Sequence, residues 1–265
     1  MGNEKSTNCI FCFFTFILLC IFLLTAFQAT GSATVLDKKP PFQPGEKYTY
    51  SARWGVLRAG EVTLEVLPME TINSVRAFHF AMVTKTNRAI DLVYKIREQQ
   101  DSYISIDMTH SVLYKKRNEG NYPRDVVIDF DWEKLEATRS NFGEKMAPIA
   151  IVPGTFDPLA LFFIIRLQDF KKSPVIEIPL TEGDKNIRVK ATVAQKEKIE
   201  IGERAYETFK VVPDMELLAA QDVVKSSDEP QLIIWFTADD KKLPVRIQSK
   251  AKVGYFVFDL MTVEP

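Results

Sequence analysis

Residues 124–132 have the sequence RDVVIDFDW, and its apolar and charged side chains alternate. The large apolar residues share one face of an extended chain: Val126, Ile128, Phe130 and Trp132. The opposite face carries three carboxylates: Asp125, Asp129 and Asp131. Such alternation is typical of antiparallel sheets that keep one face in water. The stretch therefore predicts a half-buried strand.

The same period of two recurs in residues 60–67, 187–193 and 245–253. Turn-forming residues separate the strands, for example Glu119-Gly120-Asn121 and Glu182-Gly183-Asp184. This spacing predicts roughly a dozen strands, mostly joined as hairpins. The fold class is therefore mainly β, with one large antiparallel sheet.

Residues 157–168 depart from this period. Asp157 followed by Pro158 combines a preferred N-cap with a preferred first helical residue. The residues that follow are apolar on nearly every side, so we expect one helix that is buried on most sides. It either plugs or covers a curved sheet, or it simply fills the core.

An uncharged apolar run at residues 9–27 holds all three cysteines of the chain. We expect this leader to be helical and, since small residues follow it, to form a signal peptide over residues 1–33, cleaved after Gly31 or Ala33. The run is also long enough to span a bilayer, so an uncleaved inner-membrane anchor is the alternative. Either form places the body outside the cytoplasm, with membrane contact only through an uncleaved leader.

The body divides into a Pro-rich linker at residues 34–45 and one all-β domain at residues 46–265. The chain has 34 basic and 35 acidic residues, so no bulk basic field points to nucleic acid. Because every cysteine lies in the leader, the body cannot use thiol catalysis, Cys-ligated zinc or disulfide exchange.

The body holds no familiar catalytic pattern. His79 and His110 lack partners at metal-ligand spacing, and we expect surface or turn positions for both. There is no G-x-S-x-G sequence. The aspartates of residues 125–131 are the candidates for Ca²⁺ binding or acid–base chemistry, although a solvated strand face also explains them. We expect no metal and no cofactor.

Residues 92–106 interrupt an apolar face with polar side chains. Glu98, Gln100 and Ser102 fall on the same side as Tyr94 and Ile104. Either a bulge shifts the register, or the strand runs past the sheet edge, or the polar groups face the interior. The last alternative would indicate a cavity, because an isolated buried carboxylate is costly.

Candidate ligand contacts come from the aromatic residues and from this polar row. In a sheet curved around one apolar helix they could line a lipid-sized cavity, and the alternative is an ordinary core. The candidates are Trp54, Tyr94, Glu98, Phe162, Phe163 and Trp235.

Three stretches, in this order, resemble the Domain of Unknown Function 3108 family of exported Gram-negative envelope proteins. They are WGVLRAGE at residues 54–61, DPLALFFIIR at residues 157–166, and WFTADD with LPVR and VG within residues 235–254. The resemblance implies a curved, incompletely closed β-barrel. That shape is similar to the periplasmic lipoprotein carriers, which hold acyl chains in a half-barrel under a helix.

The leading hypothesis is a non-enzymatic periplasmic binding protein for a lipid or another apolar ligand. The first alternative is an envelope scaffold that binds another protein through a sheet edge or an apolar patch. The second is a hydrolase or lyase that uses Asp125, Asp129 and Asp131.

Overall fold

The computed structural model describes residues 39–218, 223–225, 232–250 and 254–265. Within these ranges, sixteen strands join in one sheet. The strands are β1 (Lys47–Trp54), β2 (Leu57–Ile72), β3 (Val75–Thr86), β4 (Arg97–Ser105), β5 (Ser111–Asn118), β6 (Arg124–Asp131), β7 (Glu136–Asn141), β8 (Glu144–Lys145), β9 (Ile149–Ala150), β10 (Val175–Thr181), β11 (Asn186–Ile201), β12 (Arg204–Leu218), β13 (Val223–Lys225), β14 (Leu232–Thr237), β15 (Pro244–Lys250) and β16 (Tyr255–Glu264). The helices are α1 (Arg88–Asp91) and α2 (Leu161–Leu167). Neither helix in the described ranges is long and apolar enough to cross a bilayer. The predicted leader and its cleavage sites lie outside these ranges.

The sheet consists of two consecutive runs of strands that meet at β1. Its order is β10-β11-β12-β14-β15-β16-β1-β2-β3-β4-β5-β6-β7-β8, with β13 on β12 and β9 on β7. The ladder between β1 and β16 is antiparallel, as are the others, and it joins the two halves of the sheet. The prediction of a mainly β fold with one large antiparallel sheet is confirmed.

The sheet curves until its two ends touch, but the described strands do not close it with a ladder. The Arg139 Nη1 atom donates to the Glu182 carbonyl at 3.2 Å and pairs with Asp184 at 2.8 Å. The two surfaces lie so close that a Cβ at Gly183 would fall 2.8 Å from the Arg139 Cβ, and Gly183 also has a φ of +80°. Side-chain contacts at this seam make an incomplete barrel, as predicted.

The two ends of the half-barrel differ. In an antiparallel meander, alternate connections lie at the same end. The β1–β2, β3–β4, β5–β6 and β7–β8 connections therefore share one end, which we call the open end. The β2–β3, β4–β5 and β6–β7 connections share the other, and α2 lies against that closed end.

An aromatic cluster and a buried arginine fix α2 to the closed end. Phe163 stacks on Phe80 with ring centroids 3.7 Å apart, and Phe42 meets both rings edge-on. Arg166 is 1% exposed, and its Nη2 atom donates to the carbonyls of Pro41 and Lys241, each at 3.0 Å. One side chain thus connects α2, the entering chain and the β14–β15 turn.

The helix α2 begins at Leu161, three residues after Pro158, the predicted first helical residue. The Asp157 carboxylate accepts from the backbone N–H groups of Leu159 and Ala160, so it caps a turn ahead of α2. The same carboxylate accepts from the hydroxyls of Ser102 and Ser111, each at 2.6 Å. One carboxylate oxygen of Asp157 therefore caps the turn before α2, and the other oxygen binds β4 and β5.

Candidate ligand-binding cavities

Two cavities formed by the described residues lie on the concave side of the sheet. Cavity A, of about 330 Å³, lies between β4–β7 and β10–β12. Cavity B, of about 230 Å³, lies between β14–β16 and β1–β3. Met82, Phe162 and Leu232 line both cavities, so the two spaces adjoin. Ligand sites in proteins commonly measure about 300–1,000 Å³, and the joined space falls in that range.

Cavity B is almost entirely apolar. Its walls are formed by Tyr50, Val62, Leu64, Ile247, Phe256 and Phe258. The Tyr50 hydroxyl is already bound to the Pro244 carbonyl at 2.8 Å, and burial raises the pKa of Tyr50, so it stays a neutral donor. Thr84 and Ser249 are the other polar residues of the lining. This cavity suits a hydrocarbon chain, because the transfer of apolar surface out of water is favourable.

Cavity A combines apolar walls with a basic side. Lys116, Arg124 and Arg139 line it together with one carboxylate, Glu182, which pairs with Lys185. Lys116 pairs with Glu98 at 3.2 Å, and Arg139 is held at the seam.

Arg124 is the exposed cation of this lining. Unlike Lys116 and Arg139, it has no ion-pair or hydrogen-bond partner for its guanidinium among the described residues. Its charge is therefore available to an anionic group in cavity A.

The polar row of β4 faces the interior. The register with β3 is unbroken from Ala77↔Ser105 to Lys85↔Arg97, and the shift against β5 lies beyond the row. Gln100 donates to Glu98 at 2.7 Å and accepts from the Tyr114 hydroxyl at 2.7 Å. Burial raises the pKa of Tyr114, so that hydroxyl stays protonated. Of the alternatives left open by the sequence, the one that indicates a cavity is correct.

Comparison with known proteins identifies the family of this chain. A family model described as a protein of unknown function, DUF3108, matches residues 49–261. The chain belongs to the DUF3108 family. The match includes every residue that lines the two cavities. No curated protein matches this DUF3108 chain.

Solved structures resemble this DUF3108 chain in fold. A β-barrel-like DUF1849 protein from Brucella abortus aligns with a TM-score of 0.55 at 10% identity, over 82% of this chain and 96% of that one. A Bacteroides fragilis protein with a YmcC-like fold, proposed to be exported, gives a TM-score of 0.38 at 11% identity, over 85% and 98%. A proposed lipoprotein from Parabacteroides distasonis gives 0.34 at 12% identity, over 86% and 99%. Only the first similarity is close enough to show a shared fold.

The structure brings two of the predicted contact residues to the cavities of this DUF3108 chain. Phe162 is half-buried and lines both. Glu98 lies beside cavity A, where it pairs with Lys116. Phe163 points away from both cavities and is fully buried in the aromatic cluster at the closed end.

The other three predicted contacts line neither cavity. Trp235 is buried, and its indole N–H donates to Glu197. Trp54 is exposed at the open end, where it stacks on Phe256. Tyr94 is exposed on the β3–β4 connection.

The aspartates of β6 lie on the outer face, opposite the residues that wall cavity A. Asp125 and Asp129 are exposed, and Asp131 pairs with Lys134 at 2.7 Å, which lowers the pKa of Asp131. In the part of the chain that the structure describes, no group of three His, Cys, Asp or Glu side chains is placed to hold a metal. Asp125, Asp129 and Asp131 line neither cavity.

His79 does not occupy the surface position that the sequence predicted. It is 7% exposed because Tyr103 stacks on it at 4.3 Å and two carboxylates flank it. Its ring nitrogens lie 2.8 Å from Glu70 and 2.8 Å from Asp101. These contacts lie on the outer face of β3, away from both cavities.

The sequence did not indicate Met82, Leu232 and Arg124 as cavity residues. Arg124 is spaced by two residues from Val126 and by four from Ile128, so it lies on the inward face of β6. This spacing could have predicted its position in the cavity. Leu232 belongs to β14, and only the curvature of the sheet brings β14 opposite β3.

Proposed function

We propose that this protein is exported to the periplasm and binds an amphiphile there without catalysing a reaction. An apolar chain would occupy cavity B, and an anionic head would lie in cavity A. One observation supports this most directly: an apolar cavity and a partly basic cavity meet at Met82, Phe162 and Leu232. Export is supported by the apolar run at residues 9–27, and cell fractionation that finds the protein in the cytoplasm would contradict it.

The chain would be held by burial alone. Each methylene group removed from water contributes about 0.8 kcal/mol to the binding free energy. Burial of several carbons in cavity B is therefore sufficient to bind an alkyl chain. The wall needs no polar groups for this, and the hydroxyl of Tyr50 is already bonded to the protein.

The head would be selected by charge. Arg124 offers a guanidinium without an ion-pair partner among the described residues, at the mouth of cavity A. Carboxylates and phosphates accept two parallel hydrogen bonds from such a group. Lys116 lies on the neighbouring strand, paired with Glu98, and adds a second cation nearby.

Met82→Trp should weaken binding of a fluorescent long-chain fatty acid about tenfold, because the larger ring fills the junction of the two cavities. The matched control is Val83→Trp, on the next residue of β3, which faces outward. Fluorescence titration of both variants measures the effect. Equal affinity in both variants would contradict a chain that lies in this junction.

Dodecanoic acid should bind about tenfold more tightly than dodecanol, since a charge-assisted hydrogen bond contributes about 1.5–3 kcal/mol. Arg124→Gln should remove most of that preference and leave dodecanol unaffected. Arg117→Gln is the control, because Arg117 lies on the outer face and pairs with Glu119 at 2.8 Å. Competition against the fluorescent fatty acid gives all the affinities, and no preference for the acid in the native protein would rule out the anionic head.

A further inference from the structure

Large apolar side chains project from the hairpin tips at the open end. Val56 is 95% exposed, Leu92 88%, Val93 83% and Tyr122 70%. Phe142 and Leu57 are also exposed on these tips. We call the six residues the apolar rim: Val56, Leu57, Leu92, Val93, Tyr122 and Phe142. An apolar surface of this kind on an otherwise well-packed protein marks a site of interaction.

The tips form one continuous surface. Backbone hydrogen bonds link each tip or its flanking strand to the next: Asn87 to Ala59 at 2.9 Å, Asn121 to Lys95 at 2.8 Å, and Phe142 to Asp125 at 2.9 Å. Tyr94 also approaches Tyr122, with ring centroids 6.2 Å apart. The rim is therefore a fixed feature of the fold.

The tips are basic although the chain as a whole is not. Residues 55–58, 87–97, 117–124 and 142–145 contain seven Lys or Arg and three Asp or Glu, a balance of +4. The whole chain has a net charge of −1. Two of the three tip acids are already paired, Asp91 with Arg97 and Glu119 with Arg117. The exposed excess is positive and lies on the same tips as the apolar rim.

The rim also lies next to residues that line the cavities. Trp54, beside the β1–β2 tip, stacks on Phe256, which lines cavity B. Arg124, at the end of the β5–β6 connection, lines cavity A. A surface that docks on the rim would therefore lie close to both cavities.

We propose that the open end docks on an anionic lipid bilayer, with the apolar rim inserted among the acyl chains and the basic tips against the headgroups. Single side chains that protrude from separate tips need no shape-matched pocket in a bilayer. Trp54, Tyr94 and Tyr122 are of the aromatic types that concentrate at membrane interfaces. Lys and Arg near the surface are attracted by anionic lipids. Docking of this kind does not depend on cavity A or cavity B holding a ligand.

Val93→Trp and Ile106→Trp test the docking in the full chain. Ile106 is also an exposed apolar residue, but it lies at the closed end. Vesicles of phosphatidylcholine and phosphatidylglycerol in equal parts, with brominated acyl chains, are the probe. We expect the bromines to quench roughly half or more of the emission added at residue 93 and little of that added at residue 106, because only the rim enters the acyl region. The two variants differ only in the position of the added tryptophan. An uncleaved leader that binds the vesicles would therefore affect both variants equally.

Two further outcomes complete the test. Pure phosphatidylcholine vesicles or added salt should reduce the quenching at residue 93, because the basic tips then lose their attraction. Equal quenching at both positions, or none at residue 93, overturns the proposal, and a photo-crosslinker at residue 93 that captures one envelope protein in place of lipid does so as well. Fatty-acid titration of the same variants separates the two proposals, since loss of ligand binding with intact quenching would contradict only the proposed function.

Discussion

Arg166→Met should lower the free energy of unfolding by about 3–5 kcal/mol. The carbonyls of Pro41 and Lys241 would stay buried without donors, at about 1–3 kcal/mol each. The guanidinium also lies 5.1 Å from the ring centroid of Phe42 and 5.5 Å from that of Tyr48, contacts that contribute up to about 2 kcal/mol when desolvated. Methionine fills part of the volume but restores none of these interactions.

Urea denaturation followed by circular dichroism measures this loss, and Arg76→Met is the matched control. Arg76 is exposed on β3. We expect the control to change stability by less than about 0.5 kcal/mol. If both variants unfold at the same urea concentration, Arg166 does not hold the closed end together.

Asp157→Ala should cost about 3–4 kcal/mol. Its carboxylate accepts from two backbone N–H groups and two serine hydroxyls, and all four donors are buried with it. Removing the acceptor leaves these donors without partners. Asp157→Asn keeps one carbonyl oxygen for the backbone groups, and the hydroxyls of Ser102 and Ser111 can turn to accept from the amide. We expect that variant to lose less than about 1 kcal/mol at neutral pH.

The stability of the native protein relative to either variant should also depend on pH. Burial raises the pKa of Asp157 above its ordinary value of 3.8, and this outweighs the hydrogen bonds, which lower it. The folded state therefore holds the proton more tightly than the unfolded state. This contribution to stability is fully present below pH 3.8 and is lost as the pH rises through the raised folded pKa. The stability of the native protein relative to Asp157→Asn should fall as the pH rises, and a constant difference would contradict an ionisable Asp157.

The sequence predicts the strands well where burial decides the conformation. The alternation around Val126, Ile128 and Phe130 predicted both β6 and its inward face, because a strand with one wet side leaves a two-residue period. The start of α2 was less accurate. Asp157 has the chemistry of an N-cap, yet Ser102 and Ser111 bind it from strands that are distant in sequence, and such contacts leave no local pattern.

The candidate site was predictable only in part. Glu98 and Gln100 interrupt an apolar face, and an interior space was only one of the three interpretations that this conflict left open. The sequence could not show which strands face each other across a cavity. Met82 and Leu232 line the same cavity only because the sheet is curved. The burial of His79 was missed for a related reason, since Glu70 and Asp101 reach it from two neighbouring strands.

The ladder between β1 and β16 also constrains how the chain folds. Its register pairs Lys47 with Glu264. The ladder that joins the two halves of the sheet therefore pairs the first described strand with the last. Hairpins such as β2–β3 can form as soon as they are made, but the two half-sheets cannot join until β16 exists. Contacts between residues so far apart in sequence slow folding. A chain built in this way cannot complete its sheet until its last described strand has been synthesised.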